Sequence, residues 1–174
     1  RVSVLNYSLR FKFPFKLALN TRTHTDLVFL NVETPEISAF GEASLPPYLG
    51  ETVESSQQFL KSLNWVEILY SPIEDAMQRL DELSSKNNAA KAAVDMALHD
   101  YHSKKNGKSL ANFLEIPVRE SVFSTYTIGI SDRVELLQKL EEGRDFKTIK
   151  LKLGSSDDKA ILKTFKKNSN KPFC

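Results

Sequence analysis

The sequence predicts an α+β domain of roughly 110 residues followed by the opening βα units of a parallel barrel. Two changes in the hydrophobic period carry that prediction. Apolar residues recur every second position at the start and at helical spacing after residue 50, and past residue 120 strand and helix patterns alternate.

The period of two governs the first fifth of the chain. Leu5, Tyr7, Leu9, Phe11, Phe13 and Phe15 alternate with Asn6, Ser8, Arg10 and Lys12, which describes a strand with one buried face until Pro14 disturbs the ladder. A polar loop from Leu19 to His24 precedes a second strand with Val28, Leu30 and Val32. The turn Thr34-Pro35-Glu36 leads into a third from Ile37 to Ala43, so a three-stranded antiparallel meander is expected.

Helical spacing follows. Phe59, Leu60, Leu63 and Val66 predict one amphipathic helix, with Trp65 read as a core residue. Ser71-Pro72-Ile73-Glu74 combines an N-cap serine, a first-turn proline and a glutamate at N3, a capping box ahead of Ile73, Met77, Leu80 and Leu83. Asn88 opens an alanine-rich helix whose stripe is Ala93, Val94, Ala97, Leu98 and Tyr101, ending near Gly107. Its small residues permit close packing.

In the last third, Val122 to Ile130 reads as a strand, and Ser131 as the cap of a helix carrying Val134, Leu137 and Leu140 that stops at Gly143. Thr148 to Leu153 reads as the next strand. Gly154-Ser155 leads into a helix with Asp157 and Asp158 in its first turn, Ile161, Leu162 and Phe165 on its face, and Lys166 and Lys167 at its end, as the helix dipole prefers. Phe173-Cys174 sits where a third strand should begin. Two βα units cannot close a barrel of eight, so the chain reads as a truncated part of something longer; the alternative is a small open α/β layer docked on the first domain.

Composition sets limits on partners. The 174 residues are 41% hydrophobic and 26% charged, and 24 basic against 22 acidic side chains leave a formal charge of +2. That balance gives no electrostatic reason to expect nucleic acid or an anionic membrane, and a small molecule fits better. Cys174 is the only cysteine, which leaves no internal disulfide or cysteine-based zinc site. With no bilayer-length apolar run and no secretory leader pattern at the start, the expected location is cytoplasmic.

The stretch Ile149-Lys150-Leu151-Lys152-Leu153-Gly154 points most directly to chemistry. Residues two apart on a strand share a face, so Lys150 and Lys152 stand on one side and Ile149, Leu151 and Leu153 on the other. If the apolar side packs on helices, the lysines face a barrel interior, and two ammonium groups held close there repel, which favours a neutral amine able to take a proton. The bland alternative is an edge strand whose lysines discourage pairing.

Lys150-Leu151-Lys152 followed by Gly154 resembles the K-x-K motif on the second barrel strand of the muconate-lactonizing branch of the enolase superfamily. The surrounding sequence is similar to dipeptide epimerases of the L-Ala-D/L-Glu group over essentially the whole chain. Pro14-Phe15-Lys16, Gly41-Glu42-Ala43, the helix from Ala92 to Asp100, and Tyr126-Thr127-Ile128-Gly129-Ile130 match in order. The resemblance implies a capping domain at 1–117 and the start of a modified (β/α) barrel at 118–174, closing over a site for 1,1-proton transfer at the α-carbon of a dipeptide's C-terminal residue. It implies Lys152 as one base and Lys150 as its helper. It further implies Mg²⁺ to hold the developing enolate charge, a lysine–metal design that general accounts of this superfamily describe.

If the polar loop closes the site, as the resemblance suggests, Arg22, Thr23 and His24 contact substrate, the alternative being an ordinary turn. Thr127 is a candidate contact for a substrate backbone or carboxylate, the alternative being a buried strand threonine. Tyr48, Gly50 and Glu51 are candidates for a second lid, the alternative being a proline-stiffened connector. The family's metal carboxylates and opposing lysine fall beyond Cys174, so no metal ligand is expected in this chain and residues 1 to 174 alone are expected to be inactive. An arginine that reads acidic side chains in Ala-Glu epimerases aligns near Asn20, with Arg22 two residues on, so the resemblance does not carry specificity for glutamate. Glu115-Ile116 stands where the family usually has glycines. A homo-oligomer is compatible with all of this. His99 and His102, three apart on one helix, are expected on a solvated face rather than as metal ligands. The rival enzymes are a muconate cycloisomerase or an o-succinylbenzoate synthase of the same superfamily; the rival of another class is a noncatalytic peptide-binding module.

Overall fold

A computed structural model describes residues 1–17, 21–118 and 121–174. The chain divides into two compact units, Arg1–Leu9 with Thr25–Val118 and Arg10–His24 with Arg119–Cys174.

The first unit takes its sheet from β1 (Val2–Lys16), β2 (Thr21–Glu33) and β3 (Ser38–Ser44), in that spatial order. β2 and β3 pair antiparallel from Leu27 opposite Ser44 to Glu33 opposite Ser38. At the far end Arg1 and Glu33 exchange two backbone hydrogen bonds, each 2.8 Å. Val28, Leu30, Val32, Ala39 and Ala43 are buried on one face, as the alternation predicts. The odd-numbered face of β1 departs from expectation only in its first half: Leu5, Tyr7 and Leu9 are each about half exposed, whereas Phe11, Phe13 and Phe15 are half-buried between exposed Lys12, Pro14 and Lys16, as the alternation predicts. β1 also continues through Pro14, and Thr21 to His24 belong to β2 rather than to a loop. The expected loop residues Leu19 and Asn20 lie outside the described residues.

Behind the sheet come α1 (Val53–Ser62), α2 (Trp65–Tyr70), α3 (Ile73–Leu83), α4 (Asn88–Lys105) and the short α5 (Leu110–Phe113). The single helix expected through Val66 is two, because Leu63 leaves helical geometry and the Asn64 side chain accepts from Glu67 N–H to start α2 afresh. Val66 is consequently exposed. Trp65 packs against the core and its indole N–H donates to Leu60 O at 2.9 Å. The capping box at Ser71 does not form: α3 starts after Pro72 without a side-chain cap, and the Ser71 hydroxyl donates back to Glu67 O to close α2. Leu60, Leu80 and Leu98 are fully buried in the resulting core and contribute about 2 kcal/mol each.

α4 is the pillar of this unit. Ala89, Ala90, Ala93, Val94, Ala97, Leu98 and Tyr101 are buried along it, and its small side chains let β3 approach closely. A methyl on Gly41 would sit 1.9 Å from the Ala93 carbonyl oxygen. Asp100 serves the outer edge of β3 by accepting from Phe40 N–H at 2.9 Å, while Lys104 bridges Asp100 and Ser38 O at 2.7 Å each. The N-terminus of α4 is capped from a distance: Ala89 N–H donates to both carboxylate oxygens of Glu51, at 3.0 and 3.2 Å. Glu51→Ala is expected to lower stability in urea unfolding by about 1 kcal/mol, and Glu51→Gln by less, since an acceptor remains.

The second unit is built on β4 (Thr125–Ile128) and β5 (Thr148–Leu151), parallel and in register from Thr125 opposite Thr148 to Ile128 opposite Leu151. Between them runs α6 (Arg133–Glu142), and α7 (Asp158–Asn168) follows β5. Both strands are shorter than expected; Val122 and Phe123 are exposed before β4, and Leu153 after β5. Asp132 rather than Ser131 caps α6, accepting from Glu135 N–H at 2.8 Å. The buried face of α6 keeps Leu140 of the expected stripe against the core but not Val134, which is 76% exposed, while Leu136 and Lys139 are buried. Ile128, Leu136, Ile149, Leu151 and Phe165 form the core, with Tyr126, Leu140, Ile161 and Leu162 against it. Gly143 ends α6 for reasons of space, since a methyl there would meet the Tyr126 ring at 2.8 Å. Phe173 bridges Ile149 in parallel, so a third parallel neighbour does begin where the pattern placed it.

Candidate functional site

The register of the parallel pair places the candidate residues. Thr127 lies directly opposite Lys150, and pleating turns both to one face, which Lys152 shares two residues on. Thr127 and Lys150 are exposed and Lys152 is half-buried, while Ile128, Ile149 and Leu151 on the reverse face are buried against the helices. The apolar side of this strand packs on helices, and the lysines project the other way.

The loop after Lys152 is held by one acid. Asp158 accepts from Gly154 N–H (2.9 Å), Ser155 N–H (3.0 Å) and the Ser155 hydroxyl (2.9 Å). Gly154 has φ of +128°, a conformation open to glycine, so the chain turns sharply right after the second lysine. The backbone hydrogen bond from Ser155 leads the causes that hold the Asp158 carboxyl below the usual carboxylate range. A carboxylate depressed in the folded state stabilises the fold above its unfolded pKa, and that contribution disappears as pH falls through the depressed value. Acid titration of the folded chain by near-UV circular dichroism is expected to show loosening below the ordinary carboxylate range, with the Asp158 share absent in Asp158→Asn.

A second grouping involves the β1–β2 tip of this unit. Arg10, Lys12, Phe13, Arg22, Thr127 and Lys139 are among the residues lining an open cavity of about 520 Å³. The Arg22 guanidinium lies 5.5 Å from the centre of the Phe11 ring. Lys139, only 4% exposed, is neutralised by Glu135 at 2.6 Å and lies over the Phe13 ring. Glu142 forms a 2.6 Å ion pair with Lys12 and accepts a hydrogen bond from the Tyr126 hydroxyl at 3.1 Å. The Lys12 ammonium holds the Glu142 carboxyl below its usual range, and burial pushes the Tyr126 phenol up.

Geometry thus brings Thr127, Lys150 and Lys152 to one face, and Arg22 and Thr127 to one cavity. Thr23 and His24 lie on β2 with Thr23 Oγ1 and His24 Nδ1 3.2 Å apart, and neither lines that cavity. Tyr48 belongs to the other unit, 84% exposed on a 3₁₀ turn, Pro47–Leu49, closed by Gly50 at φ +69°. Its neighbour Glu51 is engaged as the α4 cap. His99 and His102 are not on a solvated face: both are partly buried, His99 against Phe113 and His102 against Tyr101. Burial lowers the His102 pKa. Among the described residues no three His, Cys, Asp or Glu side chains converge as a metal ion requires. None of their helices is long and apolar enough to cross a membrane. Lys139 was not legible as a cavity-lining residue; the Glu135–Lys139 spacing was the available signal for a helix ion pair.

A helix-backed antiparallel sheet followed by parallel βα units, the second strand bearing alternate lysines, defines an enolase-superfamily protein. The chain belongs to the mandelate racemase / muconate lactonizing enzyme family, whose N-terminal domain matches residues 1–114. It is 37% identical over 176 residues to the L-Ala-D/L-Glu epimerase of Bacteroides thetaiotaomicron, covering 99% of this chain and 46% of that protein. It is 27% identical over 169 residues to an L-Ala-D/L-amino acid epimerase of Flavobacterium johnsoniae, covering 96% and 50%. The dipeptide epimerase of Enterococcus faecalis, solved with Mg and the dipeptide L-Leu-L-Tyr, superposes with a TM-score of 0.82 at 25% identity, over 97% of this chain and 50% of that one. The chain spans about half the length of the relatives it matches.

Proposed function

We propose that the complete protein is a dipeptide epimerase, inverting the α-carbon of a dipeptide's C-terminal residue by 1,1-proton transfer. The observation that carries this reading is the shared face of Thr127, Lys150 and Lys152 on two parallel strands whose reverse face is the helix-packed core. On that face Lys152 takes the α-proton, Lys150 contacts the substrate carboxylate, and Thr127 hydrogen-bonds the peptide. Arg22, Thr23, His24 and Tyr48 are proposed to contact the substrate around that centre, with residues 1–117 as the cap and 118–174 as the opening of the barrel. The Mg bound in the similar E. faecalis structure supports a Mg²⁺-dependent parent enzyme. The family resemblance puts the metal carboxylates and the opposing lysine on other residues of the complete protein, so residues 1–174 alone are expected to be inactive.

The test is solvent-deuterium uptake at the α-carbon across a dipeptide library, using the complete protein. Uptake with inversion in a subset of dipeptides is expected. A protein that exchanges none of them, yet cyclises or dehydrates another carboxylate substrate, is a different enzyme of this family. Turnover by residues 1–174 alone contradicts the assignment of the remaining machinery to other residues.

A further inference from the structure

Lys171, in the short connection after α7, directs its ammonium at three backbone carbonyls: Gly143 at 2.9 Å, Phe146 at 2.6 Å, and Arg144. Those carbonyls belong to the turn that closes α6 and to the entry of β5, 25 to 28 residues upstream. An ammonium carries three protons, so three convergent acceptors satisfy it completely; of these, Gly143 O also accepts from Phe146 N–H at 3.1 Å. The chain then joins β5 at once. Ile149 N–H donates to Pro172 O (3.0 Å), Cys174 N–H to Ile149 O (3.2 Å), and Leu151 N–H to Cys174 O (2.9 Å). On the other edge of β5, Lys152 N–H donates to Ile128 O (2.9 Å).

We infer that Lys171 is a positioning residue for the proton transfer. By tying the connection after α7 to the entry of β5, it fixes the register at which the next segment joins that strand, and so holds the strand that carries Lys150 and Lys152. Register matters here because a one-residue slip of the segment after α7 along β5 would exchange that segment's faces, taking Phe173 from the Phe165 ring it packs against and loosening this edge of β5. The inference rests on the proposed role of Lys152 but touches different atoms. Lys171 contacts neither lysine's ammonium; its influence runs through the backbone of Ile149 and Leu151.

The test compares Lys171→Met and Lys171→Arg with wild type in the complete enzyme. In Lys171→Met, amide exchange at Ile149 and Leu151 is expected to accelerate roughly tenfold relative to the Lys152 amide, which bonds the opposite edge. The rate constant kcat for α-deuterium uptake is expected to fall roughly tenfold with KM nearly unchanged, because a small misplacement of a base costs rate more than binding. Lys171→Arg keeps the charge but spreads its donors in a plane, so both effects should be smaller than in Lys171→Met. Uniform acceleration of the three amides, or wild-type kcat per folded molecule, overturns the inference. If Lys171→Met does not fold, the same two readouts on Lys171→Arg decide it, wild-type values overturning it. Loss of uptake from one epimer in Lys152→Ala with wild-type behaviour in Lys171→Met rejects the positioning role alone; uptake retained from both epimers at wild-type rates in Lys152→Ala rejects the base.

Discussion

Lys152→Ala in the complete protein is expected to lower dipeptide epimerisation by ~10³-fold, within the 10²–10⁴ range that a positioned general base contributes. KM should change little, since the α-proton abstracted by Lys152 is not a binding contact in the ground state. The expectation follows from the parallel register, which sets Lys152 on the open face while Ile149 and Leu151 are buried behind it. Lys150→Ala is expected to raise KM as well as lower kcat, because its proposed contact is to the substrate carboxylate. A Lys152→Ala enzyme with wild-type kcat removes the lysine from the chemistry. Equal effects of both substitutions on KM would mean that Lys152 binds rather than reacts.

The second large effect is structural. Gly41→Ala is expected to destabilise the first unit by about 3 kcal/mol, the upper part of the range for forced overpacking, because the new methyl would meet the Ala93 carbonyl oxygen at 1.9 Å. Neither partner can yield as a flexible side chain would; both are backbone, in β3 and α4. Gly50→Ala supplies the contrast: the added methyl meets open space and only the φ of +69° opposes it, for about 1 kcal/mol. Urea unfolding that ranks the two substitutions the other way contradicts the close β3–α4 approach.

That contact also explains part of the family resemblance in physical terms. Gly41 admits α4, and Asp100 accepts from the edge strand at Phe40, so two residues of the recognised stretches hold the domain together rather than touch substrate. What was legible in the sequence was periodic and local: the buried faces of β2 and β3, the alanine stripe of α4, the alternation that splits Ile149 and Leu151 from Lys150 and Lys152. What was not legible depends on partners far along the chain. Glu51 caps a helix 38 residues on, so the local rule that sought a cap at the start of α4 found the wrong atoms. Ser71 had two helices to serve and served the earlier one. Asp132 rather than Ser131 caps α6, and its buried face is set by Leu136 packing with residues of β4, β5 and α7, which the local pattern does not contain.

The candidate site divides the same way. Thr127 and Lys150 became neighbours through a register that neither segment states alone. Lys171 had no signal, since its three acceptors are main-chain atoms whose identity the side chains do not encode.

The central claim is that Lys152 serves one face of the α-carbon, and the most direct measurement is solvent-deuterium uptake by Lys152→Ala from each epimer of the same dipeptide separately. A base on one face predicts an asymmetric result: uptake from one epimer is abolished, while uptake from the other, whose proton leaves toward the opposite side, persists. Uptake that continues from both epimers at wild-type rates would contradict the account.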